Sequence, residues 1–264
     1  MKLAVIIINH LHAHMIRDAI NSLPGEIFSD PNKVIVINNK PDLATAQWLV
    51  ADHPTVDIVE NPEPHGFARN INQAIEQNPG FDYYLLINPD VVCQPGMISA
   101  LVDAMDADPQ VGAAGPQLLN FDGSVQPSRR RFASFRVLVI RALHLDKVFK
   151  NLPAVSDYMM HGRTFEPVTE VDWVTGAVMM LRKTALDQVG LMDERFFLYF
   201  EDEDLCCRLW RAGWKVVYVQ EAQAYHAHLA AGRNKIMSKA NLHHILSAVK
   251  MFIKYRGRIT RTGS

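Results

Sequence analysis

The sequence predicts an α/β protein in which a mostly parallel central sheet is flanked by helices. Two observations predict this class. Short β-branched runs alternate with amphipathic segments of helix length, as in βαβ units, and the runs are apolar throughout, as strands covered on both faces are. The chain has 264 residues, of which 48% are hydrophobic, so it can fill a sizeable core in one large domain or two small ones.

The first part of the chain consists of predicted strand and helix pairs. Each strand is short and rich in Val, Ile, Leu or Tyr, and each following segment carries its apolar residues at helical spacing. The pairs are Leu3–Ile8 with about 12–23, Lys33–Ile37 with about 43–51, Val56–Val59 with about 67–77, and Tyr83–Ile87 with about 95–106.

The pattern is looser in the second part of the chain. Residues 116–127 are rich in turn-forming residues, and Gly213 is a typical helix end. No stretch has the composition of a linker, so we expect the body to be one domain. The predicted elements are a strand at Val111–Gly115, helical pieces around 134–150, strands at Ala177–Leu181 and Val216–Val219, and a helix over about 203–212.

Composition excludes several classes of protein. No apolar run approaches the roughly 20 residues that cross a bilayer. The opening run 2–8 is too short for a secretory signal and lacks a small-residue cleavage site. The three cysteines, Cys93, Cys206 and Cys207, have no CxxC spacing for zinc or redox chemistry, which favours a reducing cytoplasm.

Charge is distributed unevenly along the chain. The formal net charge is −1, yet eight Lys and Arg residues and no acidic residue follow Glu221. Apolar residues in this tail recur at helical spacing and predict an amphipathic basic helix over about 235–256. Two alternatives are open: a helix resting on an anionic membrane surface, or a helix packed on the domain. The acidic body argues against nucleic-acid binding.

Four consecutive carboxylates, Glu201–Asp204, follow the apolar run Phe196–Phe200. Like charges at contact distance repel, so such a cluster needs a metal, a proton-transfer task or a helix N-terminus to compensate it. A catalytic role and simple capping of a surface helix both fit the residues alone.

Polar residues follow the predicted strands, where ligands bind in sheets of this kind. They are Asn9-His10, Asn38-Asn39-Lys40, Asn61 and Asn88-Pro89-Asp90. Asp90 could hold a divalent cation that neutralises a diphosphate, since magnesium takes few protein carboxylates plus phosphate oxygens. Asn-Pro-Asp could equally be an ordinary turn.

Three further segments carry candidate ligand-binding residues. Gly66 and Arg69 open a helix whose N-terminus could face an anion, although an ordinary helix start explains them too. Asp172, Trp173 and Gly176 suit a sugar ring resting on an indole, or else a buried tryptophan with a structural glycine. His226 and His228 could bind a metal or phosphate, or be structural.

Taken in order, these segments resemble the family 2 inverting glycosyltransferases of the glycosyltransferase A fold, most closely the rhamnosyltransferase-like members. The resemblance covers about residues 3–232, and its most specific part is Gly190–Arg208. It implies a catalytic domain over 1–232, with a nucleotide-sugar half (1–115) and an acceptor and catalytic half (116–232), followed by a basic helix and tail (233–264). The other matching segments are the strand ending at Asn9, Val34–Asn39, Asn61, Gly66–Asn72, Leu86–Asp90, Gly115-Pro116, Asp122-Gly123, Asp172–Ala177 and Tyr225-His226.

The resemblance also implies a role for each matching residue. Asp202 would be the general base, and Asp90 with His226 would hold Mg²⁺ or Mn²⁺. Relatives usually carry Asp-Asn after the second strand, whereas this chain has Asn38-Asn39, so the donor nucleotide is open. Donor binding would fall to Asn9, Asn38, Asn39, Gly66, Arg69, Asn72, Asn88 and Asp90, and acceptor or sugar binding to Asp172, Trp173, Gly176, Glu201, Arg129 and Arg130.

The implied activity is inverting transfer of a sugar, L-rhamnose from dTDP-L-rhamnose, to a hydroxyl of a polyprenyl-diphosphate-linked saccharide in bacterial surface polysaccharide synthesis. The protein is expected to be peripheral at the inner face of the cytoplasmic membrane. The alternatives are a UDP-hexose donor, a sugar nucleotidyltransferase, or a non-catalytic nucleotide-sugar binder. Residues 9–14 contain no Gly-rich triphosphate loop, which argues against a nucleotidyltransferase.

Overall fold

A computed structural model describes residues 1–10, 13–40, 43–142, 152–227 and 239–262. The strands are β1 (Leu3–Asn9), β2 (Lys33–Asn39), β3 (Asp57–Asn61), β4 (Tyr83–Ile87), β5 (Val91–Cys93), β6 (Val111–Leu119), β7 (Arg129–Arg130), β8 (Val168–Glu170), β9 (Trp173–Val174), β10 (Val178–Arg182) and β11 (Lys215–His226). The helices are α1 (Ala13–Asn21), α2 (Leu43–Asp52), α3 (Phe67–Gln77), α4 (Met97–Ala107), α5 (Phe135–Ala142), α6 (Pro153–Tyr158), α7 (Lys183–Val189), α8 (Glu201–Arg211) and α9 (Lys239–Lys254), with a 3₁₀ turn at Gly25–Phe28.

One large sheet organises the described residues. Its strand order is β3-β2-β1-β4-β10-β6-β11-β5, and β8 pairs with β11 as well. The β3-β2-β1-β4 half is parallel throughout, as predicted. β10 is antiparallel to both of its neighbours, β4 and β6, so the sheet as a whole is mixed. Hydrophobic periodicity predicts that a strand exists but not which way it runs.

The predicted asparagines lie inside the strand ends rather than beyond them. In the register of β1, β2 and β3, Asn9 pairs with Asn38 and Asn39 pairs with Asn61, so all four stand in adjacent rows. β11 is longer than predicted because it continues through an irregularity after Val219. Of the helical pieces expected around 134–150, α5 is present, and residues 143–150 lie outside the described residues.

Two apolar layers cover the sheet. β1 is buried along its whole length, and its side chains alternate between the layers. One layer includes Ala248, Met251 and Tyr255, so the C-terminal segment packs on the domain with part of its surface. All three cysteines are buried and free.

Among the described helices, none is both long enough and apolar enough to cross a membrane.

Candidate active site

Asp90 and His226 meet at one end of the sheet. Asp90 lies between β4 and β5, immediately before Val91, and His226 ends β11 opposite Val91 in the β5 register. The Nε2 atom of His226 lies 3.5 Å from Oδ1 of Asp90, and both side chains are largely buried. The Ala227 N–H donates to the Asp90 carbonyl at 3.0 Å, which fixes the two strand ends against each other.

Gln126 sets the orientation of the His226 ring. The Gln126 Nε2 donates to the carbonyl of His226 and to Oδ1 of Asn120, both at 2.7 Å, so its Oε1 is the atom that faces the ring. This Oε1 lies 2.9 Å from Nδ1 of His226. Nδ1 therefore carries a proton, which leaves Nε2, on the side of Asp90, as the ring atom that could bind a metal.

These residues fit a divalent cation. A carboxylate and an imidazole of fixed tautomer within 3.5 Å can share one ion. Within the described ranges, no cluster of three or more His, Cys, Asp or Glu side chains could hold a metal by itself. Diphosphate oxygens and water would have to complete the shell, which suits a cation that bridges protein and substrate.

Asp202 lies in the first turn of α8, and the backbone of the two residues before this helix is strained. Tyr199 and Phe200 both have left-handed backbone conformations, with φ of 69° and 71°, which is uncommon for such side chains and frequent at functional sites. The Asp202 Oδ2 accepts the N–H of Gly176 at 2.9 Å, and Oδ1 accepts the N–H of Glu203 at 2.8 Å. The carboxylate is thus held in one orientation but remains partly exposed.

The electrostatics of Asp202 suit a base. Burial raises the pKa of Asp202, although the hydrogen bonds from Gly176 and Glu203 and the charge of Arg130 oppose the rise. Burial, and then the charge of Asp202, raise the pKa of Glu201 well above its usual range. Glu201 is 5% exposed and its Oε2 has no hydrogen-bond partner among the described residues. Burial thus favours the protonated form of Glu201, whereas two backbone N–H groups favour the ionised form of Asp202.

The other two acids of the cluster support the structure. Glu203 is buried and its Oε1 accepts the N–H of Ala133 at 2.8 Å. Asp204 is fully buried and pairs with Arg208, one turn along α8, at 2.9 Å. Asp204 also receives Lys254 at 2.5 Å and the Tyr255 hydroxyl at 2.8 Å from the C-terminal segment.

The arginine run and the tryptophan segment form a small second sheet. Arg130 of β7 pairs with Trp173 of β9, and its guanidinium lies 4.8 Å from the centre of the indole ring. The charge of Arg130 also reaches Asp202. Arg129 points to the other side, where it lies over the rings of Phe165 and Tyr218 at 4.3 and 5.0 Å. Of the two predicted acceptor arginines, Arg130 is the one beside Asp202.

Asp172 and Trp173 make contacts that build this part of the fold. The Asp172 Oδ2 accepts the N–H of Phe132 at 2.8 Å, and Oδ1 accepts Nε of Arg261 at 2.7 Å. Trp173 is 4% exposed and its indole N–H donates to the carbonyl of Arg131 at 2.8 Å. These contacts match the structural alternative for both residues, and their predicted sugar contacts stay predictions.

A chain of amides links the ends of the parallel strands. Asn9 donates to Oδ1 of Asn38 at 3.0 Å, and Asn38 donates to Oε1 of Glu60 at 3.2 Å. Glu60 was not predicted as a site residue, and its signal was its position near the end of β3. Glu60 thus places a carboxylate beside Asn38, the position at which relatives usually carry an acid. Asn39 exchanges hydrogen bonds with the backbone of His65 at 2.8 and 3.0 Å.

Of the predicted residues around the start of α3, Gly66 and Asn72 make contacts within the fold and Arg69 faces solvent. A Cβ at Gly66 would lie 2.7 Å from the carbonyl of Phe197, so this glycine allows two backbones to approach. Asn72 is buried and bonds Met192 and Glu194. Arg69 is exposed. The donor-binding roles of these residues stay predictions.

Asn88 joins the two charged centres. Its N–H donates to the carbonyl of Ala177 at 2.8 Å, next to the Gly176 N–H that holds Asp202. The segment that ends in Asp90 and the loop that orients Asp202 are therefore neighbours, and the site is continuous. The predicted alternative ligand His228 lies outside the described residues.

Comparisons with known proteins agree with this arrangement. Residues 3–242 match the family model described as "Glycosyltransferase like family 2". The chain belongs to this family.

Two relatives are named rhamnosyltransferases. An N-acetylglucosaminyl-diphospho-decaprenol L-rhamnosyltransferase of Mycobacterium tuberculosis is 34% identical over 209 residues, which are 74% of this chain and 66% of the relative. The chain thus spans a little under two thirds of that relative. The rhamnosyltransferase WbbL of Escherichia coli K12 is 28% identical over 96% of this chain and 93% of its own.

Solved structures share the fold. GalNAc-T7, solved with UDP, GalNAc and Mn²⁺, matches with a TM-score of 0.64 over 86% of this chain and 44% of its own, at 12% identity. The mannosyltransferase PcManGT of Pyrobaculum calidifontis, solved with GDP-Man and Mn²⁺, has a TM-score of 0.59 over 94% and 64%, at 15% identity. At such identities the likeness shows the fold alone, which is of the glycosyltransferase A type.

Proposed function

We propose that the protein transfers a sugar with inversion, and that Asp202 is the base. The observation that carries the proposal is the held, partly exposed carboxylate of Asp202, with its raised pKa, beside Arg130 and next to the segment bearing Asp90. A base whose pKa is moved toward neutrality matches the task of taking a proton from a hydroxyl.

The donor and acceptor are inferred from the relatives. Both names support rhamnose as the sugar, and the name of the Mycobacterium tuberculosis relative supports a saccharide linked to a polyprenyl diphosphate as acceptor. The donor dTDP-L-rhamnose is what the family resemblance implies. The Arg130 side chain suits the acceptor's diphosphate, because guanidinium binds phosphate in a bidentate manner. On this proposal the protein would act at the inner face of the cytoplasmic membrane. A UDP-hexose is the competing donor, because Asn38 replaces the usual acid.

The residues then act in one displacement. Asp202 accepts the proton of the acceptor hydroxyl, and that oxygen attacks the anomeric carbon from the face opposite the leaving nucleoside diphosphate. The Gly176 and Glu203 amides keep the carboxylate aimed during the transfer. A divalent cation held by Asp90 and His226, Mn²⁺ or Mg²⁺, would offset the charge of the diphosphate.

Asp202→Asn tests the assignment. The amide keeps the shape but accepts no proton, so we expect the rate of rhamnosyl transfer to fall by about a hundredfold or more. Donor affinity, measured by thermal shift with dTDP-L-rhamnose and with a UDP-hexose in the presence of Mn²⁺, should be unchanged. Asp103→Asn, on the exposed face of α4, is the matched control. Full activity in Asp202→Asn would refute the proposal. A larger thermal shift with the UDP-hexose than with dTDP-L-rhamnose would identify the UDP-hexose as the donor instead.

A further inference from the structure

α9 buries one face and leaves a second apolar face outside. Ala248 and Met251 lie in the core, at 7% and 0% exposure. On the opposite side a stripe of aliphatic side chains recurs at helical spacing and stays open to solvent. Its members and their exposed fractions are Leu242 57%, Leu246 47%, Val249 50% and Ile253 69%.

α5 widens this stripe into a surface. Its Phe135 and Val139 are 56% and 37% exposed. The Phe135 ring lies 4.8 Å from the ring of Phe252, so the two helices are in contact. We call this surface the α5–α9 face and define it by six exposed apolar residues: Phe135, Val139, Leu242, Leu246, Val249 and Ile253.

Positive charge borders the α5–α9 face. Neither helix contains an Asp or Glu, and the charged residues within them are all Arg or Lys. Arg136 on α5 and Lys250 on α9 are exposed, as are Arg256 and Arg258 beyond the helix. The nearby acid Asp193 is paired with Lys254 at 2.7 Å. Glu194 is exposed, and its Oε1 accepts a hydrogen bond from Asn72 at 3.0 Å.

We propose that the α5–α9 face is the surface by which the protein lies on a bilayer of anionic lipid. An apolar stripe sinks into the boundary between headgroups and acyl chains, while basic residues at its edge meet lipid phosphate. The borders favour anionic lipid, because the exposed charges beside the stripe, Arg136, Lys250, Arg256 and Arg258, are all positive and attract lipid phosphate. α9 needs only to rest on the surface, since none of the described helices spans a membrane.

The α5–α9 face adjoins the catalytic carboxylate through short contacts. His244 of α9 touches the rings of Tyr199 and Phe200, which lead into α8 and Asp202. His243 stacks on Phe197, whose carbonyl accepts the N–H of Phe67 at 2.9 Å. A lipid-linked acceptor would therefore present its head beside Asp202 while its chain stays in the bilayer. This last point alone rests on the proposed function.

Vesicle binding tests the inference without any turnover. The full-length protein is sedimented with vesicles of phosphatidylcholine and phosphatidylglycerol, and with vesicles of phosphatidylcholine alone. The triple variant Leu246→Ser, Val249→Ser, Ile253→Ser should bind the anionic vesicles at least about tenfold more weakly, because buried methylene groups drive the insertion. Arg136→Gln with Lys250→Gln should lose about fivefold for each charge, and only on anionic vesicles.

A matched triple variant controls for general loss of surface hydrophobicity. Val50→Ser, Val125→Ser and Val168→Ser replace exposed valines outside the α5–α9 face and should bind as the parent does. Equal binding by the stripe variant, or equal binding of the parent to neutral vesicles, would overturn the inference. A parent dimer that the stripe variant converts to monomer, with vesicle binding intact, would assign the face to a second copy instead. Failure of the parent protein to transfer a sugar, with its vesicle binding as expected, would count only against the proposed function.

Discussion

Gln126 is a residue whose importance comes entirely from its neighbours. Two acceptors fix the orientation of its amide, and the amide oxygen then fixes a proton on Nδ1 of His226. A carboxylate and a histidine at strand ends can be predicted from sequence, because parallel strands bring their ends together. The residue that orients the histidine lies 100 positions away in a turn-rich segment, with no pattern of its own.

Gln126→Leu should therefore weaken metal binding. The variant loses the acceptor for Nδ1–H and frees the ring to take the other tautomer, and loss of such a partner typically costs about 10–100-fold in metal affinity. Mn²⁺ affinity measured by electron paramagnetic resonance, without substrate, checks this. Gln117→Leu on β6 is the matched control, because its amide oxygen accepts from Tyr218 and not from His226. Unchanged Mn²⁺ affinity in Gln126→Leu would show that the ring is held by other means.

Glu201 and Asp202 are adjacent acids in different surroundings. Burial raises both pKa values, and two backbone N–H groups favour the ionised form of Asp202, so we expect Asp202 to be the acid that ionises in the working range. The proposed base, Asp202, accepts a proton only when ionised. The rate should therefore fall as pH decreases through a value above 3.8, the ordinary pKa of aspartate.

Glu201→Gln should leave transfer within about threefold of the parent and keep the acid limb of the pH profile, because glutamine mimics a protonated glutamate that can donate a hydrogen bond. The measurement is kcat/KM against pH for both proteins, beside Asp202→Asn. A loss as large as that of Asp202→Asn would mean that Glu201 is the acting base or shares the proton transfer.

At the scale of elements, the C-terminal segment braces the catalytic helix. Lys254 and Tyr255 converge on the buried Asp204, which also holds Arg208 in its own helix. The sequence predicts the helix and its two faces. It cannot predict which of the tail's basic residues is drawn into the core, since all of them carry the same charge and similar spacing.

Asp204→Asn should lower the free energy of unfolding by about 1–3 kcal/mol, because Arg208 loses its charged partner and Lys254 keeps only Asp193. The matched control is Asp57→Asn, whose pair with Lys33 is half exposed and worth about 1 kcal/mol or less. Urea unfolding followed by circular dichroism measures both. Equal changes in the two variants would show that the Asp204 cluster is solvated in practice.

At the scale of the whole molecule, the sequence predicts the parallel half of the sheet well, because each strand and helix there has strong periodicity. The antiparallel β10 and the small sheet of β7 and β9 escape such prediction, since their pairing depends on contacts between distant segments. The family pattern selects Asp202 from four acids, and the structure supplies a physical basis: it alone combines partial exposure with a fixed orientation and a neighbouring Arg130.

The three buried cysteines have a practical consequence. Burial raises the pKa of Cys93 and of Cys207 to about 11, and that of Cys206 further, so their thiolates are scarce at neutral pH and shielded from reagents. An introduced surface cysteine would therefore react in preference to the native ones. A spin label attached at Leu242 or at Val50 could then report immersion depth in an otherwise unaltered protein.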